Sequence, residues 1–296
     1  MKIEKVSNSV LFCTEIDKQL PLLIVSDIHF DSLKCDHASL KKHFDEIKEM
    51  NGKILIIGDI FDVMGTWRDP RSRPNEINPI YIQKGRAYLD LVVEDCFEFL
   101  KPYKDNILLI SEGNHESNIR GRHDTDVLDR LVFLLNTVEG SPVHKGQYAG
   151  WVKFTLMRNE QMQSTFIIAY HHGGGGNAKR SKGVLYSQMD AMEMPDANLI
   201  VSGHDHNKIY DPSNVRRRLD IRTGKTYHDT VHWLKTGSYK RSSDTDGWEV
   251  QKKFTPKKLG GWFVELEHKR VRKYEGGKEI EATTFVEPKI YEAVPI

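Results

Sequence analysis

The sequence predicts an α/β fold in which two β-sheets pack together with helices outside. Short runs rich in Ile, Leu and Val recur at 22–25, 54–57, 107–110, 166–170 and 199–202, each of a length that suits a buried strand. A helical pattern separates the first two runs, which argues a parallel pair joined by a crossover helix. Beyond about residue 145 apolar and polar positions alternate, as in antiparallel strands with one solvated face.

Taken in order, residues 1–20 read as a short strand or hairpin leading into the first buried strand. Residues 36–50 read as an amphipathic helix, with Leu40, Phe44, Ile47 and Met50 at helical spacing and Asp36 as its N-cap. Residues 64–84 hold Trp67, Arg68, Pro70, Arg71, Arg73, Pro74 and Pro79, and read as a long irregular loop, of a length that is often functional. A helix is expected from Gly85 to Leu100, with Leu89, Val92, Val93, Cys96, Phe97 and Leu100 on its apolar side. Another is expected from Asp124 to Asn136, burying Val127, Leu128, Leu131, Leu134 and Leu135. Runs 151–156, 230–236 and 261–267 read as strands, and 222–225 as a hairpin tip.

At 296 residues the chain can bury a sizeable core. With 29% charged and 39% hydrophobic residues it reads as soluble and globular. Its 43 basic and 42 acidic residues give a net charge of +1, so affinity for nucleic acid or membrane would need a local patch. Cys13, Cys35 and Cys96 are odd in number and scattered, which suits reduced thiols. No apolar stretch spans a bilayer and no signal segment is evident, so a cytoplasmic protein without a membrane partner is expected.

The chemistry lies in five short segments that end in metal-type ligands, four of them directly behind buried strands. They deliver Asp27 and His29; Asp59 and Asp62; Asn114, His115 and Glu116; His171 and His172; and His204, Asp205 and His206. Strand ends pointing the same way converge, so these side chains can meet at one site. Asp59 can bridge two metals, because a carboxylate has two oxygens. Asp62 is a further ligand or the partner of a histidine, and His115 a ligand or a proton donor. Glu116 reads better as a charge at the start of a helix than as a catalytic group. Adjacent side chains on an extended chain point opposite ways, so only one of His171 and His172 faces the site. Oxygen and nitrogen donors without thiolate favour Mn, Fe, Ni, Co or Zn, with Mn first. Two such ions would clamp a phosphoryl group and acidify a bridging water for in-line attack.

In this order the segments resemble the calcineurin-like metallophosphoesterase superfamily, and they span residues 22–207. The resemblance implies a four-layer sandwich of two mixed sheets flanked by helices. Residues 1–296 would form a single domain, with 208–296 completing the second sheet. It implies that Asp27, His29 and His206 hold one metal, that Asn114, His171 and His204 hold the other, and that Asp59 bridges them. His115 would protonate the leaving group, oriented by Asp62. His171 is preferred to His172 in aligning the motif. Val63 stands where the protein phosphatases of this superfamily carry Arg, which argues against that activity. Arg68, Arg120 and Arg122 are the expected substrate contacts.

The expected function is hydrolysis of phosphate esters by a metal-bridging hydroxide. Phosphodiesters are the favoured substrates, with nucleic acid among them. The alternatives are a phosphomonoesterase acting on a nucleotide or protein and, in another class, a non-catalytic metal-bound binding protein.

Overall fold

A hairpin opens the chain: β1 (Lys2–Ser7) and β2 (Val10–Glu15). The computed structural model describes every residue except 16–18, 64–76, 84, 158–162, 175–183, 222, 243–255 and 276–277. The first buried run forms β3 (Gln19–Val25), followed by α1 (His37–Glu49) and β4 (Lys53–Ile57), with β3 and β4 parallel. Asp36 caps α1, its carboxylate accepting from Ser39 N at 3.2 Å. Leu40, Phe44 and Ile47 are buried as their spacing predicts, while Met50 is exposed. The expected loop of 64–84 lies mostly outside the described residues; a short 3₁₀ turn covers Pro79–Tyr81. Next come α2 (Tyr88–Leu100) and β5 (Ile107–Ser111), which pairs parallel to β4.

The following helical region differs from expectation. An additional helix, α3 (Asn114–His123), precedes α4 (Val127–Phe133), and Asp124 at φ 50° turns the chain between them. Beyond α4 the winding widens to a π turn over Leu134–Val138. Periodicity could not reveal α3, because Ile119 is its one aliphatic residue beyond glycine and it has no apolar stripe.

The rest of the chain forms β6 (His144–Lys145), β7 (Ala149–Met157), β8 (Gln163–His171), α5 (Val184–Glu193), β9 (Leu199–Ser202), β10 (Ile209–Leu219), β11 (Thr226–Lys235), β12 (Trp262–Glu275) and β13 (Lys278–Glu292). One sheet has the order β1-β2-β7-β8-β9-β11-β10, the other β13-β12-β3-β4-β5-β6. Both are mixed. Residues 208–296 therefore do not join one sheet alone. The β10–β11 hairpin extends the seven-stranded sheet, whereas β12 pairs antiparallel with β3 of the six-stranded one.

Three apolar cores account for four layers. Leu23, Val25, Ile54 and Ile56 face α1, α2 and α4. The opposite side chains of the same strands, Leu22, Ile24, Leu55 and Ile57, meet Phe154, Phe166, Ile168 and Val201 of the other sheet. A smaller cluster of Ala169, Ile200, Val231 and Trp233 lies on the outer face, where Trp233 Nε1 donates to Asp190 of α5 at 2.9 Å. Among the described residues no helix is long and apolar enough to cross a membrane.

Candidate metal centre

The strands β3, β4 and β5 run parallel in one sheet, and β8, β9 and β11 run parallel in the other. Their carboxyl ends meet at one rim. Ser26, past β3, lies 2.7 Å from Thr236 Oγ1, past β11, and His204 N, past β9, donates to Asp27 Oδ2 at 2.9 Å.

The backbone bends sharply at this rim. Asp27, His29 and Asp59 each have φ of 49°, His204 has 74° and His206 57°. This left-handed region costs a residue with a Cβ about 1 kcal/mol or more, and such strain persists only where surroundings enforce it. Here Asp27 N donates to Gly58 O and His29 N to Asp59 O, both at 3.1 Å, while Ser238 Oγ holds Asp27 O at 2.7 Å. Two glycines make room. A Cβ on Gly58 (φ 75°) would lie 2.3 Å from His172 Nδ1, and one on Gly113 would lie 2.2 Å from Asp59 Oδ1. Gly113→Ala is therefore expected to displace Asp59. Thermal melts should show a loss of about 2 kcal/mol, a few degrees in Tm, and a smaller rise on adding Mn²⁺ than the wild type shows.

Two groups of donors form. In the first, His29 Nε2 and His206 Nε2 stand 3.2 Å apart, and His206 Nε2 is 3.4 Å from Asp27 Oδ1. That oxygen is buried and accepts no hydrogen bond among the described residues. In the second, His172 Nε2 lies 3.1 Å from Asp59 Oδ2 and 3.2 Å from Asn114 Oδ1, and His204 Nδ1 lies 2.8 Å from the same amide oxygen. His172 Nδ1 faces Ile57 O at 2.9 Å and donates there, which fixes the ring with its Nε2 edge toward the cluster.

His171 is the correction. The structure brings His172, fully buried, into the second group, whereas His171 Nδ1 turns away and accepts from Gly173 N at 2.9 Å. The alternation along β8 explains it. Phe166, Ile168 and Tyr170 face the core between the sheets and Ala169 faces out, so the next inward residue is His172.

Asp62 and His115 also meet differently from expectation. The Asp62 carboxylate faces His29 Nδ1 at 2.9 Å and stays 3.9 Å from His115 Nδ1. His115 instead meets the Asp62 backbone carbonyl at 2.6 Å. Arg120, at the far end of α3 from Asn114, bonds Glu112 at 2.5 Å, and Arg122 lies exposed one residue from the end of the same helix. Arg68 lies outside the described residues.

Glu116 stands in the first turn of α3, the helix-start charge expected of it, whereas the other supporting groups had no assignment from the sequence. Glu116 accepts from the backbone N–H groups of Asp59, Phe61 and Gly113 at 3.2, 3.0 and 2.9 Å. Asp31 accepts from Asp62 N at 2.6 Å, Val63 N at 2.9 Å and Tyr88 Oη at 2.6 Å. Lys240 Nζ bonds both Asp62 oxygens, at 2.8 and 3.1 Å. Asp31 had a signal, since it continues the two-residue spacing of Asp27 and His29. Lys240 had none.

Asp27, Asp31, Asp59, Asp62 and Glu116 are all 5% exposed or less. Burial pushes each carboxyl upward. At Asp27 the His206 and His172 imidazoles outweigh it and hold the group at about 2. At Asp59 the neighbouring His172 and His115 outweigh burial and hold the carboxyl well below the usual carboxylate range, and at Asp62 His29 and Lys240 likewise hold it low. Glu116 follows burial and the Asp59 charge up to about 7. Burial lowers His29 to about 4 against the pull of Asp62. At His172 burial loses to Asp59 and Asp27, which lift it to about 10. Buried anions beside imidazole edges make a pocket that divalent cations would neutralise. The buried Asp27 oxygen that accepts no hydrogen bond among the described residues and the N/O donor set fit such ions.

These features define an α/β sandwich with a two-part metal-ligand cluster at its strand ends. A family model, calcineurin-like phosphoesterase, matches residues 20–208, and the chain belongs to that family. It is thus a metal-dependent phosphoester hydrolase. No curated protein matches the chain. Among solved structures it is similar to GAP50, the anchor in the inner membrane complex of Plasmodium, at 12% identity and TM-score 0.40, covering 90% of this chain and 88% of that one. It is similar to zinc-complexed Vps29 from Entamoeba histolytica at 10% identity and TM-score 0.35, covering 93% and 99%. A metallophosphoesterase from Sphaerobacter thermophilus aligns at 16% identity and TM-score 0.34, covering 84% of each chain. At these scores none of the three bears on substrate.

Proposed function

We propose that the chain hydrolyses phosphodiesters at a centre of two divalent ions. Asp27, His29 and His206 would hold one ion, Asn114, His172 and His204 the other, and Asp59 would serve both. The observation that carries this reading is the convergence of two donor groups, linked where His204 N donates to Asp27 Oδ2 at 2.9 Å. Nitrogen and oxygen donors suit Mn²⁺, Fe, Ni, Co or Zn, and of these Mn²⁺ is the ion proposed first. Bound there, such ions supply positive charge that polarises the phosphoryl group and acidifies the attacking water. His115, 11% exposed at the cluster's edge and fixed through Nδ1, is placed to hand a proton from Nε2 to the leaving oxygen. Asp62 fixes His29 through its carboxylate and His115 through its carbonyl.

Charge favours a diester. A monoester dianion asks for more cationic partners than a diester monoanion. The cations Lys240, Lys235 and Arg120 are already committed to Asp62, Asp205 and Glu112. Val63, directly after Asp62, is buried and offers no charge. The shared inter-sheet core supports treating residues 1–296 as one domain. Free Cys13, Cys35 and Cys96 support a reducing, cytoplasmic location.

The test is a rate ratio. Mn²⁺-reconstituted protein should hydrolyse bis-p-nitrophenyl phosphate at least tenfold faster than p-nitrophenyl phosphate. The reverse ratio would establish a monoesterase, and no turnover of either with metal bound would overturn the proposal. Single- and double-stranded DNA, RNA and cyclic nucleotides then sort the diester class.

A further inference from the structure

Asp62 lies between two histidines, and its carboxylate serves one of them. Oδ1 is 2.9 Å from His29 Nδ1 but 3.9 Å from His115 Nδ1. Its backbone does not decide the matter. Asp31 fixes Asp62 N at 2.6 Å, yet the carboxyl can still turn about its own bonds. What stops it is a grip at two points, since Lys240 Nζ bonds Oδ1 at 2.8 Å and Oδ2 at 3.1 Å.

Lys240 is itself held. Its backbone N donates to Ser238 Oγ at 2.9 Å, and the next residue's N donates to Lys34 O at 2.9 Å. It forms a bridge with Cys35, and its side chain is 17% exposed. Among the described residues the Asp62 carboxylate is the one partner of its ammonium. This is not a solvated surface lysine, whose ion pair would contribute little.

We infer that Lys240 is a positioning residue that locks the Asp62 carboxylate onto His29 and keeps it off His115. The lock separates the roles of the two rings. With the Asp62 carboxylate held 2.9 Å from its Nδ1, His29 keeps that edge toward the anion and its Nε2 edge toward Asp27 and His206. His115 is left with the Asp62 carbonyl at 2.6 Å as its Nδ1 partner. Without the grip the carboxylate is free to swing between the rings, and both lose a fixed orientation. The inference rests on the phosphoesterase reading for its kinetic consequence, but not for its structural one.

The test therefore has two arms, both on the full chain. In the first, ¹⁵N-histidine-labelled protein is compared with and without Zn²⁺. Lys240→Met should shift the Nδ1–H resonances of both His29 and His115, and Lys240→Arg, which can also grip both oxygens, should keep them near wild type. In the second, Lys240→Met should lower kcat on a slow-leaving phosphodiester about tenfold with KM nearly unchanged, and Lys240→Arg should restore most of it. A folded Lys240→Met whose histidine resonances match wild type would overturn the inference. So would a raised KM at unchanged kcat, which would make Lys240 a substrate contact. If Lys240→Met does not fold, Lys240→Gln carries the same readouts. Absence of turnover in the wild type would defeat the proposed function and leave the resonance arm to decide.

Discussion

Asp59→Asn should lower kcat on the best phosphodiester by roughly a thousandfold, about 4 kcal/mol of transition-state stabilisation. The substitution keeps the shape, and its amide oxygen can still accept from His115 N, now 2.9 Å from Oδ1. What it removes is the negative charge 3.1 Å from His172 Nε2, at the carboxylate assigned to both ions. Two cations sharing a small pocket repel strongly at low effective dielectric, and the charge between them offsets that repulsion. Metal content should fall from two ions towards one. The same loss should appear in stability, because an ion that binds only the folded state stabilises it by mass action. The rise in Tm on adding Mn²⁺ should shrink in the variant. The metal-free protein should lose stability as well, because His172 and His115 hold the Asp59 charge against burial and its removal leaves the buried His172 imidazole without that anion. Wild-type turnover and two bound ions in Asp59→Asn would refute the shared role.

What could be read in advance was set by strand chemistry. β3, β4, β5, β8 and β9 announced themselves as apolar runs, and their order with the intervening helices gave two sheets with helices outside. Ligand-type residues in five segments, four of them directly behind runs that read as buried strands, gave the pocket, because parallel strands leave their carboxyl ends on one side. Interactions that depend on pairing across the fold were not visible. Nothing in a Lys-Thr-Gly-Ser-Tyr-Lys stretch says that Ser238 and Tyr239 hold Asp27 O, or that Lys240 holds Asp62. α3 was missed because its ends, not its faces, are secured: the Glu116 carboxylate takes the N–H of Gly113 at the helix start and of Asp59 in the neighbouring strand end. The C-terminal strands were assigned to one sheet, and in the structure β12 turns back beside β3 while β11 stays beside β9.

The pair at the end of β8 offers the sharpest separation of two neighbouring residues. His172→Ala should reduce kcat about a hundredfold or more and leave one ion bound, whereas His171→Ala should stay within about threefold of wild type. The two differ by one position, and the pleat decides between them. His172 is fully buried against Asp59, Asn114 and the His204 ring, 5.5 Å away between centroids. Its Nδ1 is fixed on Ile57 O at 2.9 Å, so the ring cannot turn away from the cluster. Truncation would leave a cavity between the sheets and an unpartnered carbonyl as well as a vacant ligand position, so thermal stability should fall without metal too. His171 sits partly exposed with its ring edge to Tyr148 and its Nδ1 on Gly173 N. Its loss should cost little beyond one part-buried hydrogen bond. Measuring bound metal and kcat for both variants decides the assignment: a larger loss in His171→Ala than in His172→Ala would return the ligand to the outward face of β8, against the alternation of Phe166, Ile168 and Tyr170 into the inter-sheet core.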